Sequence, residues 1–164
     1  MTDAPSRHAA FDADWRVEPL ASSVDPVLYA TCLHEYAHRA VACHFGAFGF
    51  VTVRRLRAAA SGKPGWQGRF QLFGALDDDE WRIVAIAGTL AERLYAGLPA
   101  DAAVLESALR LPGALSDCDA ALAGDFVRED VARCAVVLRE QWAAISREAW
   151  ERLAEISDPA ASAP

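Results

Sequence analysis

Apolar residues recur at spacings of three and four over most of the chain, and this periodicity predicts helices. Asp25 and Pro26 are residue types that favour a helix N-cap and the first helical position, so the first helix is expected to begin there. The whole pattern predicts four helical segments, at about 26–45, 77–96, 101–110 and 116–156, the last with a break near Gly124.

Two segments alternate apolar and polar residues instead. "FGFVTVRRL" and "GWQGRFQLF" flank the turn-rich stretch "AAASGKPG", which predicts a small antiparallel hairpin. The expected fold class is therefore α+β and predominantly helical, with one hairpin and a C-terminal helical bundle. We expect one domain over 27–158, after an irregular N-terminal arm at 1–26 and before a flexible tail at 159–164.

Composition and charge limit the classes of partner that we expect for this domain. The 164 residues carry a net charge of −7, and the only basic cluster, Arg54, Arg55 and Arg57, is short and predicted to be a solvated strand edge. No window has the length of apolar sequence that a signal peptide or a membrane span needs. We therefore expect a cytoplasmic protein that binds neither nucleic acid nor membrane. The oligomeric state is not predicted.

The first predicted helix contains the candidate metal ligands and the candidate general base, in the sequence "LHEYAHRAVACHFG". His34 and His38 are four residues apart and therefore lie on one helical face, where two imidazoles can bind one zinc ion. Glu35 lies about 100° further round the helix, which suits a general base rather than a ligand. This H-E-x-x-H arrangement is typical of the zincin class of metalloenzymes.

A catalytic zinc ion has three protein ligands and one water, and Glu35 would take a proton from that water. The expected activity is zinc-dependent hydrolysis of peptide bonds by the water that Glu35 activates. Two alternatives stay open: a zincin-like regulatory or binding module without catalysis, and a metal-dependent hydrolase of a non-peptide amide.

The third ligand is not obvious from the motif. His44 stands at the last position of the pattern H-E-x-x-H-x-x-G-x-x-H, but Val41 replaces the glycine that lets the chain turn back to the metal. A β-branched residue disfavours that turn, so His44 is expected to point elsewhere. Two later carboxylates, Glu92 and Asp117, remain as candidates.

The segments "LHEYAHRAVACHFGAFGFVTV", "VAIAGTLAERLYAG" and "SDCDAALAG", in this order, resemble the peptidase domain of FtsH-type zinc metalloproteases. The resemblance spans roughly residues 28–125. It implies a zincin-like fold in which His34, His38 and Asp117 bind Zn²⁺ and Glu35 is the catalytic base. Glu92 would support the site from its helix, and Asp119 would replace Asp117 if the register is shifted by two residues.

The resemblance also implies a peptide or protein as substrate. The chain has no G-x-x-x-x-G-K-[ST] loop for ATP, so we expect it to act on short or unstructured segments. "GWQGRFQLF" is a candidate edge strand for an extended substrate, with Trp66 and Phe70 as candidate pocket residues. A purely structural hairpin is the alternative.

Overall fold

The structure, a computed structural model, describes residues 24–56 and 65–158. These residues form five helices and two strands: α1 (Pro26–His44), β1 (Phe48–Leu56), β2 (Gly65–Phe73), α2 (Asp78–Tyr95), α3 (Ala102–Leu109), α4 (Asp117–Ala123) and α5 (Arg128–Ser157). The predominantly helical α+β fold is confirmed. Most of the predicted arm, the turn 57–64 and the tail 159–164 lie outside the described residues.

Local chemistry sets both ends of α1. The Asp25 carboxylate accepts hydrogen bonds from the backbone N–H groups of Val27 and Leu28, at 2.9 and 3.3 Å, and so acts as the predicted N-cap. After the helix, Gly46 adopts a φ of 84°, a left-handed conformation that side chains disfavour. The helix therefore ends where the glycine lets the chain turn into β1.

The central element of the fold is α1. It packs against α2, α5 and both strands. Tyr29 shows this packing most clearly: it is fully buried, with its ring centroid 5.4 Å from that of Tyr95 on α2 and 5.1 Å from that of Trp150 on α5. Because α1 is surrounded on three sides, the side chains of its motif are held in a rigid, mostly buried frame.

The hairpin covers one side of α1. Its strands pair antiparallel in the register Phe48↔Phe73 to Leu56↔Gly65, as the alternation predicts. One face packs on α1 and the other is exposed. At the far end, the Trp66 indole N–H donates to Asp25 Oδ2 at 2.7 Å, which links β2 to the N-cap of α1. Trp66 therefore has a structural role, and its part in a substrate pocket stays a prediction.

No helix among the described residues has the length and apolar character needed to cross a membrane.

The packing of α2 gives a direct test of the core. Leu90 is fully buried on α2, whereas Leu122 on α4 is 48% exposed. We expect Leu90→Ala to lower the free energy of unfolding by about 2–5 kcal/mol and Leu122→Ala to lower it by less than about 1 kcal/mol. Urea titration of both variants measures the difference, and equal losses would contradict the packing described.

Candidate metal centre

The two histidines of the motif face one another across one turn of α1. Their Nε2 atoms are 3.0 Å apart, and the ring planes meet at 71°. His38 is buried, and the His34 side chain is 16% exposed. The spacing of four residues therefore produces the shared face that the sequence predicts.

One face of α2 fixes the orientation of both rings. Val84, Gly88 and Glu92 are spaced by four residues and so line the same side of that helix. His38 Nδ1 lies 2.7 Å from the Val84 carbonyl oxygen, and His34 Nδ1 lies 3.0 Å from Glu92 Oε1. A carbonyl oxygen only accepts, so His38 Nδ1 carries the proton and its Nε2 is left with a lone pair. Glu92 Oε1 accepts from His34 Nδ1 in the same way, so Nε2 is the atom that this ring can offer to a metal ion.

Gly88 lies between these two contacts and leaves room in front of the rings. A Cβ atom at this position would lie 2.5 Å from Nε2 of both His34 and His38. The same Cβ would lie 2.5 Å from His34 Cδ2, so a side chain at this position would collide with both imidazole rings. Only glycine keeps this space free.

Asp119 brings a carboxylate close to the same two Nε2 atoms. Its Oδ2 lies 3.6 Å from His34 Nε2 and its Oδ1 lies 3.6 Å from His38 Nε2, so the three side chains form a group able to hold a metal ion. Ser116, the N-cap of α4, fixes the carboxylate: its hydroxyl donates to Asp119 Oδ2 at 2.7 Å and accepts from the Asp119 backbone N–H.

In the structure Asp119, the stated alternative to Asp117, is the carboxylate that lies beside the two histidines. Asp117 is the exposed first residue of α4 and is not part of the group. Two residues along a helix rotate the side chain by about 200°, so only one of the two carboxylates can face α1. The helix begins directly after Ser116, and this start places the third helical residue, Asp119, towards the histidines.

The donor set fits zinc. Two imidazole nitrogens and one carboxylate are a common set for catalytic zinc, and tetrahedral bonds of about 2 Å separate neighbouring ligand atoms by about 3.3 Å. The separations of 3.0 and 3.6 Å lie on either side of that value. A proton on His34 Nε2, or a metal ion between the two rings, removes the repulsion that two facing lone pairs would have. The residues present therefore suit a divalent ion at this position.

The close approach of His34, His38 and Asp119 shifts the pKa value of each of them. Burial lowers the pKa of His34, but the carboxylates of Asp119 and Glu92 outweigh it and raise the pKa to about 10. Burial, together with the charge of His34, lowers the pKa of His38 to about 4. Burial raises the pKa of Asp119, but the two histidines lower it by more, so that it stays below its usual value. The group thus favours one positive charge between the rings and an ionised Asp119.

Glu35 lies beside this group, under β2. It is only 8% exposed, and burial raises the pKa of its carboxyl group to about 7. The backbone N–H of Phe70 donates a hydrogen bond to the carboxylate. At Gly68 a Cβ atom would collide with the Glu35 side chain. The glycine in β2 therefore allows the strand to pass directly over the glutamate.

His44 does not reach the centre. The helix continues through Val41, and His44 is the exposed last residue of α1, with its ring 5.2 Å from that of Phe45. Glu92 contacts His34 Nδ1, not Nε2. It is not part of the group formed by His34, His38 and Asp119.

Several contacting groups were not identified from the sequence. The Val84 carbonyl belongs to the backbone and carries no sequence signal. Gly88 and Gly68 are signalled only by being glycine within a helix and a strand, which often marks a close approach of another group. Ser116 was identified as a helix start but not as a partner of Asp119.

Comparison of the sequence with models of known protein families, and with curated proteins, gives no match. The similarity to FtsH-type peptidases therefore rests on the motifs alone.

The two aspartates of α4 form a matched pair for testing the third ligand. We expect Asp119→Ala to weaken zinc affinity at pH 7 by more than about 100-fold, because it removes the carboxylate that faces both Nε2 atoms. Asp117→Ala, at an exposed position two residues away, is expected to change zinc affinity less than about threefold. Competition with a chromogenic chelator measures both. The reverse order of effects would restore Asp117 as the ligand.

The space at Gly88 gives a second test. We expect Gly88→Ala to abolish stoichiometric zinc binding, because the added methyl group would displace both imidazole rings. Gly65→Ala is the control, since its Cβ would meet only Leu56 Cδ1, at an ordinary 3.6 Å. Metal content is measured on purified protein, with circular dichroism to verify the fold. A folded Gly88→Ala protein with full zinc content would contradict the arrangement.

Proposed function

We propose that the chain is a zinc-dependent metallopeptidase that hydrolyses peptide bonds in short or unstructured segments. The observation that carries the proposal is the convergence of His34, His38 and Asp119 on one point, with the buried Glu35 beside them. A metal held only for structure needs a closed set of ligands and no base, whereas three ligands and an adjacent base suit catalysis.

In this proposal, His34 Nε2, His38 Nε2 and the Asp119 carboxylate hold the ion, and Glu92 and Val84 keep the two rings in place. A zinc ion there supplies a Lewis acid that polarises a carbonyl group and acidifies water.

Glu35 performs the proton transfers. Its carboxylate accepts a proton from the attacking water and then donates it to the nitrogen of the amine that leaves, so the group returns to its starting state. Burial raises the pKa of Glu35 to about 7, and a cation bound beside it would lower that pKa, which favours the carboxylate that accepts the proton. The Phe70 N–H keeps the carboxylate pointed along β2.

The position of β2 supports an extended substrate. Phe70 pairs with Val51 of β1, yet its N–H bonds to Glu35 and therefore points away from β1. The strand thus has a second edge, which runs past the base and the metal ligands. A peptide that pairs with this edge would bring a carbonyl group next to Glu35. Such pairing requires an extended backbone, which favours short or unfolded segments over folded proteins.

The variant Glu35→Gln separates zinc binding from chemistry. Glutamine has the same shape and can still accept the Phe70 N–H bond, so we expect unchanged zinc content. We expect the rate of peptide hydrolysis to fall at least about 100-fold, because the amide cannot accept the proton. The assay is zinc-dependent cleavage of an internally quenched fluorogenic peptide library, read by mass spectrometry.

Asp117→Ala serves as the control in the same assay and is expected to keep its activity. Equal activity of Glu35→Gln and the unaltered chain would remove Glu35 from the mechanism. If the zinc-loaded chain cleaves no peptide of the library, the proposal fails and the metal-binding module without catalysis takes its place.

A further inference from the structure

Charge is divided unevenly along the chain. Residues 46–76 contain five Arg and Lys residues and no Asp or Glu, whereas the rest of the chain holds the other 11 basic residues and all 23 acidic ones. The hairpin segment thus has a net charge of +5 and the remainder has −12. Of these five cations, Arg54 and Arg69 lie on the outer face of the described strands, whereas Arg55 lies on the face turned towards α1.

The outer face of the hairpin also carries an aromatic cluster. Phe48 and Phe50 are 60% and 65% exposed, and Phe73 is 38% exposed. The Phe48 and Phe73 rings stack at 5.7 Å, and Phe50 meets Phe73 edge-on at 5.8 Å. Three exposed rings in contact make a contiguous apolar patch, which on a protein surface usually marks an interaction site.

Cations share this face with the aromatic cluster. Arg54 and Arg69 lie on the same side of the sheet, further along the strands, and Arg54 bonds only to the neutral Gln67 side chain. Within the described residues, no carboxylate pairs with either guanidinium group. Arg57 and Lys63 lie outside the described residues and are not counted on this face. The charges of this face are therefore available to a partner.

No described helix covers the outer face of the hairpin. Among the described elements, the strands pack only on each other and on α1, and they use their inner side to do so. The outward side chains of both strands, with the exception of the terminal Gly65, are exposed.

We propose that the outer face of the hairpin is a docking surface for an anionic lipid bilayer, which departs from the expectation, drawn from composition, of no membrane partner. Arg54 and Arg69 contact lipid phosphates, while Phe48, Phe50 and Phe73 enter the boundary between headgroups and acyl chains. This proposal does not depend on the peptidase activity, because the inner face of the same hairpin covers Glu35 and the outer face is separate from it.

An open sheet face with three contacting rings and two arginines suits an anionic bilayer better than it suits the alternatives. Single-stranded nucleic acid binds by stacking its bases on free ring faces, but Phe48 and Phe73 turn their faces to each other, with only 20° between the planes. An acidic polypeptide helix fits a groove, whereas the outward side chains of both strands here are exposed.

The test is co-sedimentation of the full chain with vesicles of phosphatidylcholine alone, and with vesicles of equal parts phosphatidylcholine and phosphatidylglycerol. We expect binding to the anionic vesicles only, weakened by added salt. Arg54→Glu and Phe50→Ser are each expected to weaken the binding at least about tenfold.

Two controls match these variants in chemistry. Arg147→Glu changes an exposed arginine on α5, and Leu111→Ser changes an apolar residue that is 58% exposed; both are expected to bind as the unaltered chain does. Thermal melting verifies that all variants fold.

The proposal is overturned if the unaltered chain binds neither vesicle, or if it binds both equally. It is also overturned if the hairpin variants and the controls lose binding alike. Hairpin-dependent binding to single-stranded oligothymidine or to polyglutamate, without binding to anionic vesicles, would assign the face to nucleic acid or to an acidic polypeptide instead.

Discussion

The site depends first on the hydrogen bond from His38 Nδ1 to the Val84 carbonyl, and on its counterpart from His34 to Glu92. These two bonds fix both rings in the tautomer that leaves Nε2 free and aim the two nitrogens at one point. Without them, each ring could rotate or carry its proton on the other nitrogen, and the shared point would be lost. Gly88, between the two acceptors on α2, leaves room for both rings against that helix. The contact of α1 with α2 therefore determines the chemistry of the centre as much as the H-E-x-x-H motif does.

The hairpin and α4 complete the centre from two other directions. β2 crosses α1 at Glu35, and its glycine lets the strand pass close enough to bury the carboxylate and bond it through a backbone N–H. On the opposite side, Ser116 both starts α4 and holds the carboxylate of Asp119. In each case a backbone feature, a glycine or a helix start, positions an ionisable side chain. The same burial that orients these groups shifts their pKa values.

Much of this architecture follows from the sequence. The helices and both strands lie within a few residues of their predicted bounds, because caps such as Asp25 and breakers such as Gly46 act locally. His34, Glu35 and His38 were identified because helix geometry alone places two imidazoles together. Asp119 was only a fallback, since choosing between it and Asp117 requires the phase of α4 relative to α1, which tertiary packing decides. The exposed aromatic face of the hairpin was missed for a related reason: alternation predicts two faces but not which one is covered.

The most direct measurement of the central claim is anomalous diffraction from crystals of the zinc-loaded chain, recorded on both sides of the zinc absorption edge. The account predicts one strong peak within bonding distance, about 2 Å, of Nε2 of both histidines and of an Asp119 oxygen. It also predicts that both Nδ1 atoms keep their bonds to α2. A peak elsewhere, or one bound through Asp117 or His44, would contradict the account.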